Sequence, residues 1–135
     1  MARLIVLDAS VAIAALVRDD VHHRAASAAL MSAGDDELVL AATTRAEILV
    51  GPTRVGGRAL RGARDFVDGC ATIAISGVLA DDAAALKAAH PALSLPDALA
   101  LSVVRLIDAD LVWTFDRRWR SVDPRVRIPI APTRG

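Results

Sequence analysis

Four acidic residues stand where a soluble protein has little structural reason to place them: Asp8, Glu47, Asp97 and Asp116. Asp8 and Asp116 end apolar runs that are typical of strands, whereas Glu47 and Asp97 lie in the opening turns of predicted helices. If the strands are parallel, strand ends and helix starts share one rim of the sheet. Carboxylates crowded at one rim repel each other, and bound cations relieve that repulsion. The pattern therefore predicts a metal-dependent enzyme.

Each acid also has an ordinary structural explanation. The segment 44–47, Thr-Arg-Ala-Glu, matches a capping box, in which Glu47 would satisfy a backbone donor. Asp97 suits the dipole at a helix start, and Asp116 suits a turn. Asp8 is the hardest to explain in this way, because it lies between an apolar strand and an apolar helix. An enclosed carboxylate needs a partner or a metal.

Two hydroxyl residues accompany these acids. Ser10 lies two positions after Asp8, and Thr114 lies two positions before Asp116. Either hydroxyl could orient a carboxylate, hold a metal-bound water or contact a phosphate. The alternatives are helix capping for Ser10 and ordinary strand preference for Thr114.

The basic residues are almost all arginine, since Lys87 is the only lysine among the 16 basic residues. Arginine binds phosphate in a bidentate manner, although a GC-rich genome would produce the same bias. The net charge is zero, so any contact with nucleic acid must be local. Candidate contacts to substrate or to an inhibitory partner are Arg45, Arg117 and Arg118. Arg54, Arg58, Arg61 and Arg64 recur at helical spacing, either as a basic stripe for nucleic acid or as a solvated helix face.

The elements that must position these side chains alternate along the chain. Apolar runs predict strands over 4–7, 38–41, 72–75, 111–114 and 126–130. Periodicity and caps predict helices over 10–17, 22–32, 44–50, 54–69, 79–90 and 94–107, the third ended by Gly51 and Pro52. This alternation predicts an α/β fold, a three-layer α/β/α sandwich with a mainly parallel central sheet of four to five strands. The whole chain, 1–135, is predicted to be one domain.

Several classes of protein are disfavoured by what the sequence contains. Cys70 is the only cysteine, which excludes an internal disulfide and a cysteine-based zinc site. The apolar start resembles a signal peptide until Asp8 interrupts it, and no apolar run reaches the roughly 20 residues that span a bilayer. We therefore expect a cytoplasmic protein without a membrane segment. The sequence has no nucleophile elbow and no phosphate-binding glycine loop, and the three histidines are interpreted as solvated surface residues: His22, His23 and His90.

Nearly the whole chain resembles a PIN domain, and more narrowly a VapC-type toxin ribonuclease of a bacterial toxin–antitoxin pair. The resemblance rests on four blocks in the order and spacing of that family: Leu4-Ile-Val-Leu-Asp8-Ala-Ser10, Arg45-Ala-Glu47-Ile-Leu, Leu95-Pro96-Asp97-Ala-Leu-Ala and Leu111-Val-Trp-Thr114-Phe-Asp116. Trp113 departs from the pattern, being bulkier than the small or β-branched residue expected in the last strand.

The resemblance implies a site and a set of partners. It implies that Asp8, Glu47, Asp97 and Asp116 bind Mg²⁺ or Mn²⁺, and that Ser10 and Thr114 are the hydroxyls near that pocket. It also implies an RNA substrate, a homodimer and a cognate antitoxin whose C-terminal segment occupies a groove. Apolar helix residues are candidates for burial in the dimer or under the antitoxin: Val11, Ala15 and Leu16. Whether Glu47 or Asp116 accepts the proton of the attacking water stays open, as does the number of ions.

Two other functions compete with this interpretation. A phosphatase of the haloacid dehalogenase type needs a second aspartate two residues after the first, where Ser10 stands, and a lysine that Lys87 is poorly placed to supply. A non-catalytic PIN-like module would use the pocket only to dock a partner. RNA cleavage with and without Mg²⁺ or Mn²⁺ separates these functions.

Overall fold

A parallel five-stranded sheet lies at the centre of the computed structural model, which describes residues 2–133. Its strands are β1 (Leu4–Leu7), β2 (Glu37–Ala41), β3 (Ala71–Ile73), β4 (Leu111–Trp113) and β5 (Val126–Arg127). Their order in the sheet is β3-β2-β1-β4-β5, and each neighbouring pair is parallel. The predicted parallel α/β sheet is therefore confirmed.

Helices cover both faces of this sheet. They are α1 (Ala9–Leu16), α2 (His23–Ser32), α3 (Ala42–Val55), α4 (Gly57–Asp68), α5 (Gly77–Ala89) and α6 (Leu95–Leu106), with a 3-10 helix at Arg117–Ser121. Ser94 caps α6 as predicted, because its side-chain oxygen accepts a hydrogen bond from the Asp97 backbone N–H. No helix within residues 2–133 is long and apolar enough to cross a bilayer.

The alternation of side chains along the strands divides the core into two layers. On β1, Val6 joins a cluster with α5, α6 and the fully buried Trp119, whereas Ile5 and Leu7 join a cluster with α1 to α4. Successive strand residues point to opposite faces, so unbroken apolar strands are buried on both sides. The three-layer α/β/α sandwich is therefore confirmed.

The third helix is longer than the sequence predicts. It continues through Pro52 and ends at Gly56, whose φ is +74°. The prediction that Gly51 and Pro52 end it was wrong: the proline removes one N–H donor and crowds the carbonyl four residues earlier, but the helix continues past it. The following turn still closes through a hydrogen bond of 2.8 Å from Gly56 N–H to the Pro52 carbonyl. Gly56 and Gly57 both have positive φ, and together they separate α3 from α4.

The predicted capping box at the start of α3 was also wrong. The helix begins earlier, after Ala41, which provides no side-chain cap. Thr44 is therefore inside the first turn and buried, and Glu47 falls in the second turn rather than at a capping position. The capping explanation for Glu47 is thereby removed.

The sheet order identifies the rim where a ligand site is expected. In the sheet, β1 lies between β2 and β4. The chain runs from β1 to β2 and β3 on one side of β1, and β4 and β5 lie on its other side, so the strand order reverses between β1 and β4. In open α/β sheets ligands bind at such a switch point, beyond the carboxyl ends of the strands. Asp8 directly follows β1, and Thr114 directly follows β4.

Candidate functional site

Asp8 is held at the switch point by two hydroxyls. Its backbone N–H donates to the Trp113 carbonyl of β4 at 2.9 Å. The Thr114 hydroxyl donates to Asp8 Oδ2 at 2.7 Å, and the Ser10 hydroxyl donates to the same oxygen at 2.8 Å. The interpretation of Ser10 and Thr114 as groups that orient a carboxylate is therefore consistent with the geometry.

Backbone donors determine the direction of these two hydrogen bonds. Phe115 N–H donates to Ser10 Oγ at 3.2 Å, and Asp116 N–H donates to Thr114 Oγ1 at 3.0 Å. Each hydroxyl oxygen already accepts one bond, so its single proton is directed to Asp8. The arrangement favours the charged form of Asp8. Both protons reach Oδ2, and neither reaches Oδ1.

The surroundings of Asp8 oppose that charge. Burial is the largest effect and raises the pKa of Asp8, and the negative charge of Asp97 raises it further. The hydrogen bonds from Thr114 and Ser10 lower the pKa, but the net direction is upward. Among residues 2–133, no arginine, lysine or histidine forms an ion pair with Asp8. The structure thus holds a carboxylate in a position where its charge is costly.

Glu47 and Asp97 complete a group of three mutually repelling acids. Partial burial raises the pKa of Glu47 most, and the charges of Asp8 and Asp97 raise it further. Glu47 nevertheless reaches solvent, and Asp97 is half-buried in the first turn of α6. The charge of Asp97 acts on both Asp8 and Glu47, so the three acids face a common region of the rim. That they form one site stays a prediction.

Asp116 has a different environment from the other three acids. Arg118 donates from Nε to Asp116 Oδ1 at 3.0 Å and from Nη2 to Oδ2 at 2.7 Å. The hydrogen bonds from Arg118 lower the pKa of Asp116. Both carboxylate oxygens are therefore paired with a guanidinium, and Asp116 is not one of the mutually repelling acids.

The donor set fits a hard divalent cation, although the acids are spread apart. Within residues 2–133, no three Asp, Glu, His or Cys side chains are grouped closely enough to hold a metal ion. The oxygen donors of Asp8, Glu47 and Asp97 are nevertheless the type that Mg²⁺ and Mn²⁺ prefer, with water completing the coordination. The uncompensated repulsion among these three acids is what a cation would relieve. That all four acids bind one ion stays a prediction.

The predicted arginine contacts differ in their surroundings. Arg45 donates to Asp68 at 2.7 Å and to Thr72 at 3.2 Å, so it links α3 to α4 and β3. Arg117 is exposed beside Asp116. The basic stripe is also exposed, and within residues 2–133 none of its members forms an ion pair: Arg54, Arg58, Arg61 and Arg64.

Two histidines have roles that the sequence did not reveal. His23 is half-buried rather than solvated, and its Nδ1 lies 2.8 Å from the Ala14 carbonyl. His22 is exposed but stacks on Phe115, with ring centroids 4.2 Å apart and an angle of 9° between the rings. The spacing between residues 22 and 115 carried no signal for that contact.

An apolar groove runs between α1, α3 and α4 and reaches Glu47. It has a volume of about 440 Å³ and is lined by Leu16, Ile48 and Val55, with Glu47 also in its wall. Val11 is fully buried in the chain's own core, so its expected burial under a dimer or antitoxin was wrong. Leu16 remains available, because it lines the groove.

Comparisons with known proteins agree with this architecture. The family model of the PIN domain matches residues 5–124. No protein in the curated set matches the chain.

Three solved structures are similar in fold. A toxin–antitoxin complex from Klebsiella pneumoniae is 23% identical with a TM-score of 0.78, covering 95% of this chain and 99% of that chain. VapC20 of Mycobacterium tuberculosis, a sarcin–ricin loop cleaving toxin, is 20% identical with a TM-score of 0.74, covering 87% and 94%. VapBC2 from Rickettsia felis, bound to a DNA fragment from its promoter, is 11% identical with a TM-score of 0.71, covering 94% and 99%.

Proposed function

The chain belongs to the PIN domain family, and from this membership we propose that it is a metal-dependent endoribonuclease, the VapC-type toxin of a toxin–antitoxin pair. One observation carries the proposal. Burial and the charge of Asp97 raise the pKa of Asp8, and burial and the charges of Asp8 and Asp97 raise the pKa of Glu47. No cationic side chain among residues 2–133 forms an ion pair with any of these three acids. A site built from uncompensated carboxylates is suited to binding a divalent cation.

Asp8 and Asp97 are the principal ligands in this proposal, with Glu47 and Asp116 completing or sharing the coordination. Bound Mg²⁺ or Mn²⁺ supplies a more acidic water and neutralises charge on the phosphate oxygens. Ser10 and Thr114 keep Asp8 oriented, since both of their protons are directed to one oxygen. Their contribution is to fix a ligand before substrate arrives.

Glu47 is the better of the two candidates for the general base. A base works best when its pKa lies near the working pH, and the pKa of Glu47 is raised whereas that of Asp116 is lowered by Arg118. Glu47 also reaches solvent, from which the attacking water comes. Arg117, exposed beside Asp116, is placed to contact a substrate phosphate.

RNA cleavage by the purified protein tests the activity. We expect cleavage of single-stranded and looped RNA with Mg²⁺ or Mn²⁺ and none with EDTA. Asp8→Asn and Asp97→Asn should each reduce cleavage by about 100-fold or more, because each removes a charged ligand. Asp81→Asn is the matched control, since Asp81 is exposed on α5 and forms no ion pair within residues 2–133.

Two results would contradict the proposal. Cleavage that continues in EDTA would exclude the metal requirement, and full activity of Asp8→Asn would show that the site is misassigned. A folded wild-type protein that leaves every RNA intact, in either metal, would favour the non-catalytic module instead.

The groove beside Glu47 supports the proposed antitoxin partner. Its apolar lining is open to solvent, and Val55 at its edge is 76% exposed. An amphipathic segment would bury this lining and place its end near the acids. The Klebsiella pneumoniae structure is itself a toxin–antitoxin complex. Gly62→Trp, which would fill the groove wall, should weaken binding of the antitoxin while RNA cleavage persists.

A homodimer in the cytoplasm completes the proposal. Light scattering of the purified chain should give twice the mass expected for one copy. A monomer at all concentrations would exclude this part while leaving the cleavage assay unaffected.

A further inference from the structure

The stack of His22 on Phe115 leaves one aromatic face free. His22 is exposed, whereas Phe115 is half-buried, so the inner face of the imidazole is covered and the outer face is available. The backbone of His22 is fixed as well, because its N–H donates to Asp20 Oδ1 at 2.8 Å. An exposed ring held flat on a second ring is a rigid platform for another flat group.

This platform is connected directly to the carboxylate site. Phe115 N–H donates to Ser10 Oγ at 3.2 Å, and Ser10 in turn donates to Asp8 at 2.8 Å. The chain of contacts from His22 to Asp8 therefore passes through two residues, Phe115 and Ser10. Phe115 follows the carboxyl end of β4, so the His22 ring lies at the rim of the sheet where Asp8 also lies.

A pocket of about 440 Å³ lies beside the platform and has two arginines in its wall. His22 lines it together with Arg18 and Arg24, against one acid, Asp20. Arg18 is exposed and forms no ion pair within residues 2–133, whereas Arg24 donates to the Pro132 carbonyl. The volume is in the range of pockets that hold small organic ligands. A flat ring next to a free guanidinium matches a nucleobase followed by its phosphate.

We propose that His22, supported by Phe115, stacks an unpaired nucleobase of the RNA substrate, and that Arg18 contacts the adjoining phosphate. The inference rests on the proposed ribonuclease function and adds a subsite to it. RNA-binding proteins read unpaired bases by stacking them on aromatic rings, including histidine. Such stacking tolerates any base, so it anchors the strand without requiring a particular sequence.

The experiment first separates this inference from the proposed function. Wild-type protein and Mn²⁺ define an RNA that is cleaved and the position of the cut. If no RNA is cut, the ribonuclease proposal fails and this inference fails with it. If RNA is cut, the same RNA is tested on intact protein carrying Asp97→Asn, with 2-aminopurine placed in turn at each position around the cut.

Three variants at one position distinguish stacking from charge. His22→Ala removes the ring, His22→Phe keeps a ring without charge, and His22→Lys keeps a charge without a ring. We expect quenching of 2-aminopurine at one position with the parent and with His22→Phe, and loss of quenching with His22→Ala and His22→Lys. The affinity for RNA should fall about 10-fold in those last two proteins.

An abasic nucleotide at the quenched position provides the decisive comparison. If the base stacks on His22, the abasic RNA should bind the parent about 10-fold more weakly and bind His22→Ala with no further loss. A purely structural role would give the same loss with intact and abasic RNA, and that result would overturn the inference. The inference would also be overturned if His22→Lys, and not His22→Phe, kept the affinity of the parent for RNA. Parental affinity in all three variants would overturn it as well.

Discussion

Thr114→Val tests the hydrogen bonds that hydroxyl groups donate to Asp8, the feature on which the site depends. Thr114 is fully buried, and valine has nearly the same shape, so the change removes an oxygen without opening a cavity. Two hydrogen bonds are lost: the one donated to Asp8 at 2.7 Å and the one accepted from Asp116 N–H at 3.0 Å. The first goes to a charged group, and the second leaves a backbone donor without its acceptor.

The magnitude follows from these two losses. A hydrogen bond to a charged group contributes about 1.5–3 kcal/mol, and an unsatisfied buried donor costs about 1–3 kcal/mol. Allowing for a gain from the extra buried methyl of about 1 kcal/mol, we expect Thr114→Val to lower the free energy of unfolding by about 1.5–5 kcal/mol. In a domain of this size each kcal/mol shifts the Tm by roughly 3–5 °C.

A double-mutant cycle with Asp8→Asn isolates the hydrogen bond from the Thr114 hydroxyl to the charged Asp8 carboxylate. Asparagine can still accept from the Thr114 hydroxyl, but as a neutral group it gains only about 0.5–1.5 kcal/mol from that bond. Thr114→Val should therefore cost about 1 kcal/mol less in the Asp8→Asn protein than in the wild type. Asp8→Asn alone should stabilise the metal-free protein, because it removes a charge whose ionisation burial opposes.

The pH dependence of stability provides an independent test of the same hydrogen bond. The folded pKa of Asp8 is raised above its unfolded value, so its ionisation reduces stability as pH rises through the folded pKa. Thr114→Val removes a bond that lowers this pKa, so the folded value should rise further. The cost of Thr114→Val should thus be smaller at acidic pH, where Asp8 is protonated, and reach its full size above the folded pKa.

Urea unfolding measures all four proteins of the cycle. Trp113 and Trp119 are both buried, which makes their fluorescence a reporter of unfolding. Thr43→Val is the matched control, because the Thr43 hydroxyl is buried without a hydrogen-bond partner among residues 2–133, and its loss should cost nothing. An equal cost of Thr114→Val with and without Asp8→Asn, at every pH, would refute the argument that this hydroxyl serves a charged carboxylate.

Four further outcomes are expected. Mn²⁺ should raise the Tm of the wild type and have little effect on Asp97→Asn; an equal rise in both would place the ion elsewhere. Arg118→Ala should raise the pKa of Asp116 in a carbon-13 NMR titration, and an unchanged value would contradict the pairing. Metal-free stability should fall as pH rises through the raised folded pKa of Glu47, and urea titrations of Glu47→Gln should lack that part of the decline. Pro52→Ala should raise the free energy of unfolding by about 1–3 kcal/mol in urea, since α3 continues through that position; no gain would show that the helix accommodates the proline without strain.

The strands and the parallel sheet could be predicted because their signal is local. β1 and β4 are apolar on both faces, and such runs occur where helices cover both sides of a sheet. The start of α6 could also be predicted, since Ser94, a following proline and Asp97 all favour a helix start. The rim of the sheet, and hence the location of Asp8, followed from these elements.

The course of α3 could not be predicted from the same kind of signal. Thr44 and Glu47 have the spacing of a capping box, but the helix starts at Ala42, two residues before Thr44, because β2 leads directly into it. Burial of Thr44 against the core outweighs the local preference of its hydroxyl for a capping position. Propensity is a weak guide when tertiary packing decides where an element begins.

The two hydroxyls that donate to Asp8 could not be predicted from local sequence signals for another reason. Thr114 is 106 residues from Asp8 in the chain, and the two meet only because β1 and β4 are neighbours in the sheet. The same adjacency brings Phe115 to Ser10. Sequence spacing identified which hydroxyls accompany the acids, whereas strand order determined that both hydroxyls serve Asp8.

The pKa values of the acids at the site shift in opposite directions. Burial and repulsion raise the pKa values of Asp8 and Glu47, whereas Arg118 lowers that of Asp116. Thr114 connects the two environments, because its oxygen accepts from Asp116 N–H while its proton reaches Asp8. Environments that separate the pKa values of neighbouring acids assign them different chemical roles. The surroundings of Asp8 and Glu47 therefore oppose their ionisation, whereas Arg118 favours the ionised form of Asp116.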